Sequence, residues 1–246
     1  MNYEKKLLQQ FNYISALGYV RSLYNGRGCI GRTFEYLVGL DGDSSENPDY
    51  HGIEIKTKMQ NKSLYKRYIT LFSCVPDSQK NVIPVLCNKY GKINNQTGLK
   101  EFHMSLYIGW KRKINEQHDV KLCLDLKKKK LFLFIYENGK FIDKSIFWNL
   151  EYIKIKLLHK LQKVCYIKAD EKKIFNLSFF HYNEIHFYML KSYREFLYLL
   201  EHGKIRITFK VGRYKSGTRK GNIYNHGVSF DLREDFLNYL FDEYSP

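Results

Sequence analysis

The spacing of apolar residues predicts a helix at the beginning of the chain. Residues 4–20 place apolar side chains three or four positions apart, the spacing of one buried helix face, and Gly18 follows near the end. A shorter helix is expected at 33–40, with Thr33 as its N-cap. Further helices are predicted at 149–163, 186–204 and 231–244.

Alternating apolar and polar residues predict strands through much of the remaining sequence. The predicted strand segments are 53–58, 67–75, 102–110, 119–126, 130–144, 163–172, 204–214 and 225–232. The tetrapeptide ENGK at 137–140 predicts a hairpin turn, and the lysine run 127–130 reads as a solvated connection between strands. Residues 77–100 are expected to form a loop with a short extended piece. These elements predict a mixed α+β fold with a largely antiparallel later half.

The composition says more about the classes of binding partner than about the fold. The 246 residues are 44% hydrophobic, which suffices for a sizeable core, and the net charge of +16 favours nucleic acid or an acidic membrane surface. The five cysteines show no CxxC spacing, so a disulfide framework or a zinc ribbon is not expected. No segment has the length and apolarity of a membrane span or a signal peptide, and we therefore expect a cytoplasmic bacterial protein.

The segment NPDYHGIEIKTK, residues 47–58, carries the first candidate chemistry. In a strand, Glu54 and Lys56 share one face, and Asp49 precedes them after Pro48. Two converging carboxylates suit Mg²⁺, and a nearby ammonium group can position an attacking water or offset charge at phosphorus. Glu35, on the short helix upstream, adds a third carboxylate. The alternative interpretation of the motif alone is a solvated strand edge.

The glycine-rich segment GRGCIG, residues 26–31, allows three interpretations. It matches the GxGxxG dinucleotide-binding pattern, but the residues before it have helical periodicity rather than the expected buried strand. It also fits a loop whose glycines supply positive φ angles. The third interpretation places the loop against a phosphate backbone, with Arg27 and Arg32 as contacts.

Several segments together resemble the MvaI/BcnI family of restriction endonucleases, relatives of the mismatch-repair nicking enzyme MutH. The resemblance is carried in chain order by GCIGRTFEYLVG, PDYHGIEIKTK, SLYKRYITLF, KVGRYKSG and NHGVSF. It implies a PD-(D/E)xK nuclease core and a second lobe that clamps duplex DNA. It also implies a monomer that nicks the two strands in turn.

The resemblance assigns roles to the candidate residues. It implies that Asp49 and Glu54 bind Mg²⁺ and that Lys56 is the catalytic lysine. Glu35 corresponds to the family's helix acid, which either holds a second metal ion or orients the other ligands. We expect the catalytic lobe in roughly 1–100 with part of the middle, and the DNA-recognition lobe in roughly 150–246.

The second candidate site is a basic stretch near the C-terminus. No acidic residue occurs from His202 to Phe230, which suits contact with phosphates. The expected backbone contacts lie in a loop that also contains Tyr214: Lys215, Ser216, Arg219 and Lys220. The expected base-reading residues lie on strands: Arg206, Lys210, Arg213 and His226. Asp231 stands where the family pattern often has Arg, and its carboxylate could accept a hydrogen bond from cytosine. The alternative is a merely solvated basic face.

These observations predict a Mg²⁺-dependent type II restriction endonuclease that cuts double-stranded DNA at a short, near-palindromic site. A cognate DNA methyltransferase encoded nearby is the expected biological partner, without a stable complex. Two rivals remain at this stage. One is a MutH-like strand-nicking repair enzyme that uses the same residues, and the other is a non-catalytic DNA-binding protein with a nuclease-like core.

Overall fold

The structure, a computed structural model, describes residues 2–26, 28–40, 47–60 and 68–246. For Asn225 and His226 it describes only the backbone. Arg27, one of the expected phosphate contacts, lies outside the described residues. The helices are α1 (Tyr3–Ala16), α2 (Cys29–Leu37), α3 (Val82–Tyr90), α4 (Leu150–Leu161), α5 (Tyr193–Glu201) and α6 (Leu237–Leu240).

The strands of the described chain follow the same order from the N-terminus. They are β1 (Val20–Arg21), β2 (Ile53–Met59), β3 (Tyr68–Ser73), β4 (Lys92–Ile93), β5 (Lys100–Leu106), β6 (Lys111–Lys113), β7 (His118–Asp125), β8 (Lys130–Glu137), β9 (Lys140–Asn149), β10 (Lys163–Ile174), β11 (Leu177–Leu190), β12 (Ile205–Arg213), β13 (Ile223–Arg233) and β14 (Phe241–Tyr244). The predicted mixed α+β fold is confirmed.

The chain divides into two compact units. The first unit comprises Met1–Arg67, Leu158–Ser192 and Leu237–Pro246. The second unit comprises Tyr68–Leu157 and Tyr193–Phe236. Among the described residues, no helix is long and apolar enough to cross a bilayer.

The first unit is built on one sheet with the strand order β1-β11-β10-β2, and β14 also pairs with β11. The pair β2–β10 is parallel, whereas the other pairs are antiparallel. Helix α1 starts at the N-cap Asn2, whose side chain accepts a hydrogen bond from the Lys5 backbone N–H. Apolar side chains of α1, α2, β2, β10 and β11 form one buried core, in which Ile53 and Ile55 represent β2.

The second unit contains two antiparallel sheets. Their strand orders are β3-β13-β12-β5-β4 and β6-β7-β8-β9. Trp148 of β9 packs against Phe209 and Phe230 of the other sheet, and its indole N–H donates to the Cys74 carbonyl at 2.9 Å. The buried indole therefore contributes apolar contact area without an unsatisfied donor.

The predicted hairpin at ENGK is confirmed. Glu137 pairs with Lys140, and the two residues between them, Asn138 and Gly139, have φ angles of 47° and 82°. Two successive positive φ values are typical of the tight turns that match the twist of an antiparallel pair.

Four local predictions are wrong. Residues 77–100 contain the helix α3, and α2 begins at Cys29 rather than after Thr33. The helix expected at 186–204 is only α5, because β11 extends to Leu190 and pairs with β10 and β14. The terminal helix expected at 231–244 is replaced by the end of β13, a 3-10 turn, the short α6 and β14.

Candidate active site

A tight turn brings Asp49 alongside strand β2. Tyr50 and Ile53 exchange two backbone hydrogen bonds of 2.9 Å, and the intervening His51 and Gly52 have positive φ angles of 46° and 86°. The chain therefore doubles back immediately after Asp49, whose Oδ2 accepts a hydrogen bond from the Ile55 backbone N–H at 2.9 Å. This bond holds one carboxylate oxygen at the strand.

His51 takes part in the packing of the turn. Its ring stacks on Tyr3 with centroids 3.9 Å apart and meets the edge of Tyr50. A histidine with φ above zero is uncommon, and the two ring contacts help to hold the conformation.

Glu54 is the buried acid of the site, with 2% of its surface exposed. Its Oε1 accepts from Lys56 Nζ at 2.5 Å. Its Oε2 lies 3.4 Å from Lys160 Nζ, but the geometry is not that of a hydrogen bond, and this buried oxygen has no hydrogen-bond partner among the described residues. Burial raises the pKa of Glu54, and the neighbouring charge of Lys56 opposes that increase.

Sequence reasoning did not identify Lys160, which belongs to the last turn of α4. Besides approaching Glu54, its ammonium group donates to the backbone carbonyl of Asn47 at 3.3 Å. The adjacent His159 also approaches the Asn47 side chain, at 3.0 Å. Lys160 follows Glu54 by more than a hundred residues, and its only sequence signal was a basic residue near the end of a predicted helix.

Helix α2 brings Glu35 towards the same carboxylates. A Cβ atom at Gly31 would lie 2.9 Å from the Thr57 hydroxyl, so the absence of a side chain there allows α2 to approach β2 closely. Burial raises the pKa of Glu35 first, and the negative charge of Asp49 raises it further. Three carboxylates and two lysines therefore share one electrostatic environment in the first unit.

The residues present fit a divalent cation with oxygen ligands. A buried carboxylate oxygen without a hydrogen bond is costly unless a cation or another donor satisfies it. In the described part of the chain, no group of three or more His, Cys, Asp or Glu side chains could hold a metal ion by itself. Mg²⁺ commonly binds one or two protein carboxylates and retains several waters.

In the second unit, β12 and β13 carry a hydrogen-bonded arginine. Arg206 Nε lies 3.2 Å from Asp231 Oδ2, and the guanidinium group stacks on the Tyr68 ring at 3.7 Å. Asp231 is only 3% exposed and also accepts from the hydroxyl groups of Thr70 and Thr208, at 2.9 and 2.8 Å. The structure thus places Asp231 beneath Arg206 rather than at the surface.

Arg213 is anchored within the second unit. Its Nε donates to the Lys100 carbonyl, its Nη1 to the Gly221 carbonyl and its Nη2 to Asn88 Oδ1. Lys100 and Asn88 lie outside the basic loop 214–221, and Gly221 lies at its end. These hydrogen bonds therefore fix the base of the basic loop.

The remaining basic residues are distributed over the same loop and strands. Lys215 donates to Gln96 at 2.9 Å, and the guanidinium group of Arg219 lies 5.4 Å from the Tyr214 ring centroid. Residues 215–220 are exposed, including Ser216 and Lys220, whereas Lys210 is half-buried on β12. His226 lies on β13, and only its backbone is described. In the first unit, exposed Arg32 stacks on Tyr24 at 3.9 Å.

A strand that bears Glu and Lys after an Asp, in a mixed α+β fold, is the arrangement expected of a nuclease. The model of the MvaI/BcnI restriction endonuclease family matches residues 8–241, and the chain belongs to this family. It is a type II restriction endonuclease that acts on DNA.

Two solved structures show the likeness in three dimensions. One is the complex of restriction endonuclease MvaI with its cognate DNA substrate, which is 25% identical with a TM-score of 0.89 and covers 99% of this chain and 98% of that chain. The other is MvaI in the absence of DNA, which is 25% identical with a TM-score of 0.61 and covers 99% of this chain and 97% of that chain. No curated protein matches the chain.

Proposed function

We propose that the enzyme is a monomer that cuts duplex DNA at a short, near-palindromic site by nicking each strand in turn, with Mg²⁺ held by Asp49 and Glu54. The observation that carries this proposal is the buried Oε2 of Glu54, which lacks a hydrogen bond beside two further carboxylates. Type II restriction endonucleases generally use a divalent metal, and the likeness to a DNA complex supports double-stranded DNA as the partner.

Each candidate active-site residue of the first unit has a distinct role in the proposed mechanism. When bound, Mg²⁺ lowers the pKa of water and polarises the phosphoryl oxygen. Asp49 is held in position by its hydrogen bond to the Ile55 N–H. Lys56 orients the attacking water and offsets negative charge that develops at phosphorus. Glu35 adds a third negative charge that favours a cation at this position.

Lys160 has a supporting role in the proposal. Its ammonium group lies between Glu54 and the carbonyl of Asn47, at 3.4 and 3.3 Å. It therefore compensates part of the charge of Glu54. It also links the end of α4 to the segment that carries Asp49.

We propose that Arg206 reads a base and that Asp231 orients it. Asp231 accepts the hydrogen bond from Arg206 Nε, and Tyr68 covers one face of the guanidinium group. No described residue accepts a hydrogen bond from the two terminal nitrogens of Arg206. A guanidinium group held in this way can donate both terminal N–H groups to a guanine edge. Asp231 itself is buried, so its contribution to readout passes through Arg206.

The other basic residues serve as DNA contacts in the proposal. Lys215, Ser216, Arg219 and Lys220 contact phosphates from the loop whose base Arg213 anchors, with Tyr214 packed against Arg219. Lys210 and His226 remain candidates for base contact, and Arg27 and Arg32 for phosphate contact. Host DNA in the bacterial cytoplasm would be protected by a cognate methyltransferase encoded nearby.

The test is cleavage of supercoiled plasmid by the Lys56→Ala variant. We expect the rate in Mg²⁺ to fall at least about a hundredfold, because one charge at the transition state is lost. Lys168→Ala is the matched control, since Lys168 also pairs with a strand glutamate, Glu184, at 2.7 Å in the same sheet. The control should retain cleavage, and both variants should melt as cooperatively as the wild type.

Three outcomes would count against parts of this proposal. Full activity of Lys56→Ala would remove that residue from the mechanism. Cleavage in EDTA would exclude a metal requirement. A plasmid that accumulates as a lasting nick, without linear product, would favour the strand-nicking alternative.

A further inference from the structure

The four-stranded sheet β6-β7-β8-β9 has one buried and one open face. Leu131, Leu133 and Ile135 of β8 are completely buried. The alternate residues Phe132, Phe134 and Tyr136 point to the opposite face, because successive strand side chains alternate. On β8 this open face carries aromatic rings, whereas β7 contributes polar residues to it, as is usual for a solvated sheet surface.

Five rings form a continuous row across this face: Phe147, Phe132, Phe134, Phe141 and Tyr136. Successive centroids lie 5.6, 5.8, 5.3 and 5.9 Å apart. Phe141 is 49% exposed, whereas Phe132 is buried and the other rings are half-buried. We call these five residues the aromatic row. Such a row stabilises the sheet through cross-strand pairs, but it also presents apolar ring surface to solvent.

Lysines flank the aromatic row at both ends. Lys130 Nζ lies 3.7 Å above the Phe147 ring, and Lys111 Nζ lies 4.3 Å above Tyr136. Lys121 is the cross-strand partner of Phe134. The lysine run 127–130 ends at Lys130, so this run lies at one end of the row.

The charge around the row is strongly positive. Residues 111–149 contain ten Lys or Arg against five Asp or Glu. The two acids on the open face are each close to a lysine, Asp119 to Lys111 at 3.5 Å and Asp125 to Lys128 at 3.8 Å. A second copy of this face would meet like charge, which disfavours self-association through it.

We propose that the aromatic row and its lysines bind single-stranded nucleic acid. Flat rings stack on unpaired bases regardless of their identity, and flanking cations hold the backbone. A duplex offers mainly phosphates to such a face, because its bases are stacked on one another. In one class of RNA-binding domain, aromatic side chains on a four-stranded sheet stack about two or three bases.

This site uses none of the residues assigned to cleavage. Phe134 and Phe141 provide the accessible rings, while Lys130 and Lys111 cover Phe147 and Tyr136. The enzyme would then hold an unpaired strand through a surface that is chemically distinct from the carboxylate site, with salt-sensitive and sequence-tolerant binding.

The experiment measures fluorescence anisotropy of a labelled oligothymidine of roughly ten nucleotides, a length within the usual range of such sites. EDTA is present to prevent cleavage. We expect Phe141→Ala to weaken binding by roughly fivefold to a hundredfold, the effect of losing one stacking partner. Phe141→Tyr should restore it. Lys130→Glu should also weaken binding and reduce its salt dependence.

Tyr198→Ala is the matched control, because Tyr198 is an exposed aromatic residue of the same unit that lies on α5, outside the row. This control should bind the oligonucleotide like the wild type. Plasmid cleavage by Phe141→Ala should be unchanged, so loss of the single-strand site is distinguishable from loss of the proposed nuclease mechanism.

Three results would overturn the inference. The first is no oligothymidine binding by the wild type at low salt. The second is equal affinity in the wild type, Phe141→Ala and Lys130→Glu, which would indicate diffuse charge attraction elsewhere. The third is a wild-type dimer in sedimentation experiments that Phe141→Ala converts to a monomer, which would identify a second copy as the occupant.

Discussion

Glu54 and Asp231 are two buried strand acids with opposite environments. They are 2% and 3% exposed, and each has a basic neighbour on a strand. Asp231 accepts hydrogen bonds from Thr70, Thr208 and Arg206. Glu54 accepts one from Lys56, and its second oxygen has no hydrogen-bond partner among the residues that the structure describes.

Both oxygens of Asp231 accept hydrogen bonds from the protein, whereas Glu54 Oε2 has, within the described chain, only the ion pair with Lys160 at 3.4 Å. A buried carboxylate with several donors stabilises the native state and holds its donors in place. A buried oxygen without a donor costs stability, and such atoms concentrate where function requires them. This contrast supports the proposals that Asp231 orients Arg206 and that Glu54 binds the metal ion.

The largest expected effect is on catalysis at Glu54. Glu54→Gln should lower plasmid cleavage in Mg²⁺ by at least about a thousandfold, because the variant loses a charged metal ligand and the orientation of Lys56. The free energy of unfolding of this variant in EDTA should stay within about 1 kcal/mol of the wild-type value, since the neutral side chain is easier to bury. Mg²⁺ should raise the melting temperature of the wild type and not that of the variant. Normal cleavage by Glu54→Gln would contradict the metal-binding role proposed for Glu54.

The second effect is on stability at Asp231. Asp231→Ala should lower the free energy of unfolding by about 3–5 kcal/mol, because it leaves Arg206 and two threonine hydroxyls without their acceptor. Asp231→Asn, which keeps the shape, should be milder and should raise KM for DNA more than it lowers kcat. Urea denaturation and steady-state kinetics measure the two quantities. Loss of kcat at saturating DNA without loss of stability would contradict the assigned role.

The smallest effect is the pH dependence of stability in the metal-free protein. The pKa values of Glu35 and Glu54 are raised above their ordinary value of 4.5 by burial. Between 4.5 and the raised values, the folded state binds more protons than the unfolded state, so these two groups make stability fall as pH rises. The slope should be shallower in Glu54→Gln than in the wild type, measured by urea denaturation in EDTA. Identical slopes would mean that Glu54 does not contribute.

The local errors of sequence prediction have different physical causes in different segments. Residues 187–190 have apolar or aromatic side chains that suit a helix face as well as a strand, and short apolar runs do not separate the two. In the fold, the backbone N–H and C=O groups of these residues form hydrogen bonds with β10 and β14, so the segment is a strand. Residues 77–100 are rich in Asn, Gly and Lys, which favoured a loop. Val82–Tyr90 nevertheless form α3, and Pro84 is tolerated in its first turn because no hydrogen bond is lost there.

The candidate site was partly visible in the sequence because its central residues are close along the chain. Asp49, Glu54 and Lys56 lie within eight residues, and strand periodicity places the last two on one face. Lys160 could not be paired with Glu54 in advance, because the contact depends on where α4 ends relative to β2 within the first unit. Similarly, the aromatic row requires the registers of β8 and β9.

The sequence by itself determined the fold class, the positive charge and the Asp-Glu-Lys motif, since these depend on composition and on short-range spacing. It also carried the family resemblance, through five segments in the same chain order. Only the tertiary structure decided which buried acid has hydrogen-bond donors for both of its carboxylate oxygens. Asp231, expected at a base edge, lies below Arg206 because β3, β12 and β13 bring three donors to it. Hydrogen bonds between strands depend on register and burial, and those are properties of the folded chain rather than of any local pattern.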